Sequence, residues 1–158
     1  MAKTKLLFLA KLVGVTALFG WFWFAWFEHQ YPLLLKPFGD WLLPLFGARK
    51  WQLSFSLAHM SNWIPYVGLV LAGPHLSSRW KYHLLALVGG LAIIVAGHFA
   101  MLIAFYHIID AYELSKMAYR FMLPIWVLND ALPLILWLAF FPRALSELFP
   151  GIHLGRGR

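Results

Sequence analysis

Long runs of apolar residues are the feature that most limits what this chain can fold into. Four such runs occupy residues 6–27, 57–76, 84–109 and 121–141. A helix needs about 20 apolar residues to cross the hydrocarbon layer of a bilayer. A helix also satisfies its own backbone hydrogen bonds, which lipid cannot do for it. The sequence therefore predicts an all-α integral membrane protein, built as a bundle of four transmembrane helices.

The composition supports this class. Of the 158 residues, 62% are hydrophobic and only 12% are charged, whereas soluble domains carry about 25% charged residues. The formal net charge is +7, but the basic residues flank the apolar runs, which favours membrane orientation over nucleic-acid binding. The absence of cysteine excludes disulfides and thiolate chemistry. We expect a single transmembrane domain over residues 1–158, without a nucleic-acid partner.

The first run begins like a signal peptide, but it lacks the features of a cleaved one. Lys11 interrupts the run, and bulky aromatic residues stand where a small-residue cleavage site would be. We therefore expect an uncleaved anchor. The segment at 31–50 is apolar but contains Pro32, Pro37 and Pro44 together with two glycines. Helix breakers at this density favour short interfacial helices, or a re-entrant segment, over a fifth span.

The distribution of lysine and arginine predicts the orientation. With four crossings, eight of the 13 basic residues fall on one side of the membrane and five on the other. The more basic side stays in the cytoplasm. The sequence therefore predicts a multi-pass protein of a bacterial inner membrane, with both termini in the cytoplasm and membrane lipid around the helices.

Asn129 and Asp130 stand side by side inside the fourth run. An ionisable residue at this depth is costly and normally faces the bundle interior or a wet cavity. Pro133 has no N–H and clashes with the carbonyl of Asn129, so a kink would leave that carbonyl free beside two polar side chains. His98 lies at a similar depth, and a His98–Asp130 pair would relieve both burial costs. Two roles remain open: helix-to-helix hydrogen bonding, or contact with a ligand or partner.

The third run carries small residues at four-residue spacing, at Ala92, Ala96, Ala100 and Ala104. Small residues allow helix backbones to approach closely. We therefore expect a neighbouring helix to pack on this stripe.

The same helix face continues to His107 and Asp110. With His59 and Asn62 they predict a polar cluster near the outer membrane interface, either a substrate or partner site or ordinary solvated helix ends. His59 and His107 at matched depth also permit a haem site, although nothing else in the sequence supports one. We expect no cofactor, no metal and no catalytic residue, because the serines show no nucleophile-elbow pattern and a complete catalytic set is absent.

The order of segments resembles a known family. An aromatic-ended first run precedes "YPLLLKPFGDWLLPLFG" and "NWIPYVGLVLA", and the last run reads "YRFMLPIWVLNDALPLILWLAFFPRAL". In span order and proline positions, the chain resembles the small exosortase-associated membrane proteins encoded with exosortase H. It is more loosely similar to the exosortase/archaeosortase superfamily, whose members look like transpeptidases that use Cys, Arg and His. Since this chain has no cysteine, the resemblance implies a non-catalytic accessory protein with a larger, exosortase-like membrane partner.

Three functions therefore remain open. The first is an accessory or assembly protein of a protein-sorting system. The second is a small haem- or quinone-binding membrane subunit. The third is a membrane-embedded enzyme that acts on a lipid-linked substrate through Asp130 and the outer histidines. We prefer the first, because the sequence offers helix-packing features without a complete catalytic set.

Overall fold

The computed structural model describes residues 2–48, 57–73 and 79–148, and every regular element within these ranges is helical. The elements are α1 (Ala2–Phe22), a π-helical turn (Trp23–Phe27), α2 (Glu28–Leu45), a 3-10 helix (Leu57–Asn62), α3 (Trp63–Ala72), α4 (Trp80–Tyr112), α5 (Lys116–Phe140) and α6 (Ala144–Leu148). The prediction of an all-α protein is confirmed.

Three helical stretches are long and apolar enough to cross a membrane: Lys5–Leu45, Trp80–Tyr112 and Lys116–Phe140. Large apolar side chains cover their outer surfaces, including Trp21, Leu85 and Leu128. A monomer in water rarely exposes apolar surface on this scale. The surface is that of a membrane protein whose solvent is lipid.

α1 and α2 form one continuous helical stretch, so the predicted division of residues 31–50 into short helices is wrong for the described part. Pro32, Pro37 and Pro44 all lie inside α2. Each proline removes one backbone hydrogen bond, which the neighbouring turns of a membrane helix tolerate. The stretch Lys5–Leu45 contains 41 residues, so at about 60 Å it is twice as long as the hydrocarbon layer is thick.

A π-helical turn joins α1 to α2. The backbone N–H that follows this turn, that of Glu28, donates to the carbonyl of Trp23, five residues earlier. A π turn adds a residue to one turn of helix and so rotates everything that follows. The inward face of α2 is thereby offset from that of α1.

The second predicted span is shorter in the structure than the sequence suggested. α3 has 10 residues, about 15 Å of helix, and residues 74–76 of the predicted span lie outside the described ranges. Pro65 sits in its first turn, where a missing N–H is harmless. Six of the ten residues of α3 are buried, because it packs against α1, α4 and α5. α3 is therefore the interior element of the bundle.

Two glycines allow α3 to approach its neighbours. A Cβ on Gly68 would collide with the hydroxyl of Thr16 in α1, and a Cβ on Gly90 of α4 would collide with the Tyr66 ring. The Tyr66 hydroxyl donates to the carbonyl of Ala86 at 2.6 Å. Small residues at the crossing points thus set the spacing of α1, α3 and α4.

Aromatic contacts define the two ends of the bundle. At one end, Tyr112 of α4 stacks on Phe121 of α5 with 5.1 Å between ring centroids. At the other, Phe8 of α1 packs against Trp137 of α5 at 6.1 Å. α4 and α5 therefore run antiparallel, and α1 starts at the end where α5 finishes.

Candidate functional site: a buried polar chain and an apolar groove

Polar groups from four helical elements form a continuous row of hydrogen bonds inside the bundle, which we call the polar chain. The Tyr31 hydroxyl of α2 lies 2.7 Å from Nδ1 of His98 in α4. Nε2 of His98 lies 2.8 Å from Oδ1 of Asn62, which ends the 3-10 helix. Nδ2 of Asn62 donates to the carbonyl oxygen of Asn129 in α5, also at 2.8 Å. The polar chain joins four elements at one depth.

The direction of these hydrogen bonds follows from the amide of Asn62. Because its Nδ2 donates to Asn129, the oxygen that faces His98 is an acceptor. Nε2 of His98 then carries the hydrogen, and Nδ1 of the neutral imidazole accepts from the Tyr31 hydroxyl. His98 is completely buried, at 0% exposure. In so apolar an interior, a row in which each donor meets an acceptor avoids the penalty of about 1–3 kcal/mol for a buried unpaired group.

The acceptor at the far end of the polar chain is a carbonyl released by proline. Pro133 lies inside α5, and a helical residue at its position would normally donate to the carbonyl four residues earlier, that of Asn129. This carbonyl, which the sequence predicted to lack its usual donor, accepts a hydrogen bond from the Asn62 amide. This hydrogen bond between helices agrees with the structural interpretation of the polar notch.

The hypothesis of a pair between His98 and Asp130 is not supported by the contacts of His98. Both ring nitrogens of His98 contact other groups, Tyr31 and Asn62, while Asp130 lies exposed on the outside of α5 and Asn129 is buried. Neighbouring residues point about 100° apart around a helix, so only one of the two faces inwards. The buried positions of α5 are Ala118, Met122, Asn129, Pro133, Leu136 and Trp137. Their helical repeat is visible in the sequence and includes position 129, not 130.

The polar cluster predicted at the outer end does not assemble around Asn62, which belongs to the polar chain. His107 lies nine residues beyond His98, about 13 Å along the axis, and its Nε2 is 2.8 Å from the carbonyl oxygen of Phe46. Asp110 is exposed near the end of α4. The side chain of His59 lies outside the described residues. Asn62 and His107 thus serve two separate contacts.

Two of the histidines of α4, His98 and His107, hold the two ends of α2. Nine residues correspond to two and a half turns of helix, so His98 and His107 project from opposite sides of α4. Tyr31 near the start of α2 bonds the first, and Phe46 just after its end bonds the second. α2 therefore crosses α4 obliquely, from one side of it to the other.

This crossing leaves an apolar groove of about 620 Å³ between α2 and α4. It is lined by Phe38, Trp41 and Leu42 of α2, by Phe46 just after α2, by Val95, Phe99 and Ile103 of α4, and by the small residues Ala92, Ala96, Ala100 and Ala104 of α4. No helix of the described ranges is seated on that alanine stripe, because Ala92, Ala96 and Ala100 are exposed. The neighbouring helix predicted to pack on the stripe is therefore not found within the described ranges. We call this feature the α2–α4 groove.

These arrangements limit the chemistry of the histidines. Both ring nitrogens of His98 and Nε2 of His107 lie in hydrogen-bond contacts, and a haem iron bound at any of these three atoms would have to displace that contact. Asp130 follows Asn129 in α5 and is therefore level with His98. Like His98, it is separated from His107 by about 13 Å along the bundle axis. Among the described residues, no group of three or more His, Asp or Glu side chains is arranged to hold a metal ion.

Tyr31 is the site residue that sequence reasoning missed. The available signal was the four-residue repeat of the side of α2 that is buried, at Tyr31, Leu35, Gly39 and Leu43. The prolines in this segment obscured the helical period.

None of the protein-family models, curated proteins or solved structures with which the chain was compared matches it.

Proposed function

We propose that this protein is a non-catalytic accessory subunit that binds a transmembrane helix of a larger membrane protein in the α2–α4 groove. The observation that carries the proposal is an exposed alanine stripe beside an aromatic wall, Ala96 and Ala100 on α4 facing Phe38 and Trp41 on α2. The sequence resemblance supports an exosortase-like enzyme as the partner, and a role in assembling or stabilising a protein-sorting system.

The shape of the groove favours a helix as its occupant. The floor runs along α4 from Ala92 to Ala104, a separation of 12 residues, which corresponds to about 18 Å or three turns of a facing helix. Lipid tails are as apolar as leucine, so transmembrane helices associate through close van der Waals contact, which small residues permit. Bulky side chains on the partner would fill the space beside Trp41.

The polar chain supports an accessory role over a catalytic one. Its groups are hydrogen-bonded to one another across four elements. Their donors and acceptors therefore hold α2, α4 and α5 in place. Asp130 and His107, the residues considered for an enzyme, lie at different depths. By holding α2 against α4, these hydrogen bonds form the apolar α2–α4 groove.

The proposed topology has four crossings, by α1, by the 3-10 helix with α3, by α4 and by α5. α2 is the slanted segment between the first two crossings, running towards the end of the bundle that carries His107. Both termini lie in the cytoplasm of a bacterial inner membrane. The shared end of α1 and α5, marked by Phe8 and Trp137, supports this arrangement. Reporter fusions at the two termini should report the same compartment, and opposite compartments would contradict it.

Partner binding can be tested by filling the groove. Ala96→Leu and Ala100→Leu add bulk at exposed positions, so the chain should fold normally while co-purification of a co-expressed exosortase-like enzyme falls at least about tenfold. Ala17→Leu, on the exposed side of α1, is the matched control and should retain the partner. A photo-crosslinker at position 96 should join the chain to that enzyme. Cross-links to lipid, or to a second copy of the chain, would contradict the proposal.

A further inference from the structure

A second pocket, of about 300 Å³, opens at the end of the bundle where α4 begins and α5 ends. Its lining is unlike that of the α2–α4 groove because five of its nine residues are polar or charged. The polar residues are Arg79, Tyr82, His83, Arg143 and Glu147, and the others are Phe140, Phe141, Pro142 and Ala144. We call it the basic pocket.

Two arginines approach the basic pocket from different elements. Arg79 immediately precedes α4, and Arg143 lies between α5 and α6; both are exposed. Glu147 is the one acidic residue in the lining, so the pocket keeps an excess of positive charge. Arginine guanidinium groups offer forked N–H donors that match the oxygens of a phosphate.

The floor of the basic pocket contains a buried imidazole. His83 is only 3% exposed, and its ring packs on that of Phe141 with 4.8 Å between centroids. Its Nδ1 lies 3.1 Å from the carbonyl oxygen of Arg79, whereas its Nε2 has no hydrogen-bond partner among the described residues. Buried polar atoms normally have a partner. Because Nδ1 faces a carbonyl oxygen and donates to it, Nε2 of an uncharged ring is an acceptor, so it is a second indication of a ligand, one that brings a hydroxyl beside its phosphate.

The position of the basic pocket corresponds to the headgroup layer. It lies at the ends of two helices that are long and apolar enough to cross a membrane. Trp80 beside it is exposed, and the ammonium group of Lys81 lies 5.9 Å from the Trp80 ring centroid. Tryptophan and lysine mark membrane interfaces. Basic pockets between transmembrane helices at this level bind anionic lipid headgroups.

We infer that the basic pocket binds a phosphate group, held by Arg79 and Arg143 and carried by an anionic phospholipid whose first acyl carbons lie against Phe140 and Phe141. A phospholipid headgroup and inorganic phosphate in solution carry the same group, so the test distinguishes these two sources. The inference does not depend on the α2–α4 groove or on its partner.

The test measures phosphatidylglycerol and phosphatidylcholine bound to the purified full-length protein by native mass spectrometry. In a second arm, inorganic phosphate alone is added and the melting temperature is followed. Arg79→Gln and Arg143→Gln should each weaken phosphatidylglycerol binding at least about tenfold, the worth of one charge-assisted contact. Lys81→Gln removes the same charge at the same end but outside the lining, and serves as the matched control. Arg79→Lys keeps the charge and lacks the fork, so it should fold normally and bind with intermediate strength.

Retention of phosphatidylglycerol by the wild type and by Lys81→Gln, with its loss in Arg79→Gln and in Arg143→Gln, supports the lipid source. Stabilisation by inorganic phosphate, lost in the same two variants, without phosphatidylglycerol binding, supports a soluble source for the same site. Equal loss in Lys81→Gln overturns the inference, because the lipid would then be responding to overall charge. Failure of both probes to bind, or binding that ignores both arginines, also overturns it.

Discussion

Nε2 of His98 lies 2.8 Å from Oδ1 of Asn62, and this contact joins the middle of α4 to the start of α3. The other contacts of the polar chain extend from it, to Tyr31 of α2 on one side and to the carbonyl of Asn129 in α5 on the other. The polar chain therefore determines where α2 meets α4. Since α2 forms one wall of the α2–α4 groove, a fully buried row of hydrogen bonds shapes a surface at the outside of the bundle.

Removing the central amide should destabilise the fold. Asn62→Ala removes the acceptor that faces Nε2 of His98 and the amide that donates to the carbonyl of Asn129, and we expect the free energy of unfolding to fall by about 1–3 kcal/mol. Denaturant titration of the detergent-solubilised protein measures this loss. The double variant with His98→Ala should lose less than the sum of the two single losses, because the two residues share a contact. Strictly additive losses would contradict the polar chain.

Asp130 should behave as an outward-facing residue. Asp130→Asn replaces a side chain on the exposed side of α5, and its own effect on the free energy of unfolding is measured first. Combined with His98→Ala, its effect should add within about 0.5 kcal/mol, because the two residues share no contact. The same denaturant titrations measure both quantities. A coupling energy well above that value would restore the pair that the structure argues against.

The loss of stability caused by Asn62→Ala should depend on Pro133. An alanine at position 133 has an N–H that can donate to the carbonyl of Asn129 within α5, in competition with the amide of Asn62. The loss caused by Asn62→Ala should therefore be smaller in the Pro133→Ala background than in the wild type. A double-mutant cycle in the same denaturation assay provides the comparison, and an equal loss in both backgrounds would contradict the role given to this carbonyl.

Gly90 should tolerate no side chain. A Cβ at this position would collide with the Tyr66 ring, and overpacking of this kind costs about 1–3 kcal/mol. Gly14→Ala is the matched control, since a Cβ there has no neighbour within 4 Å and alanine favours the helix by up to about 1 kcal/mol. Thermal melts in detergent should move in opposite directions for the two variants. A neutral Gly90→Ala would contradict the close contact of α3 with α4.

His107 should hold the end of α2. His107→Ala removes the contact to the carbonyl of Phe46, so backbone amides at 40–45 should exchange hydrogen faster while those of α3 stay protected. Hydrogen exchange followed by mass spectrometry measures both segments. His29→Ala, on an exposed position of the same helix, should leave exchange at 40–45 unchanged. Unaltered exchange in His107→Ala would mean that α2 is held by other contacts.

Much of the fold could be predicted from local patterns. The runs at 84–109 and 121–141 correspond to α4 and α5, because an apolar segment of twenty or more residues in lipid satisfies its backbone hydrogen bonds by forming a helix. The segment at 31–50 could not be predicted in the same way. Its prolines suggested breaks, yet α2 continues through Pro32 and Pro37, because the remaining hydrogen bonds and the packing of Tyr31 and Leu35 keep the turns together.

The amino-acid sequence by itself determined that this protein is helical and membrane-bound, and that the carbonyl of Asn129 would lack its usual donor. Those properties belong to apolar side chains and to a proline ring, and they hold wherever the helix lies. Only the tertiary structure decided that Asn62 supplies the missing donor, that His98 turns to Tyr31 and not to Asp130, and that α2 crosses α4 beside an open stripe of alanines. These outcomes depend on how far each helix is rotated and how closely it approaches its neighbours, and no single segment specifies either quantity.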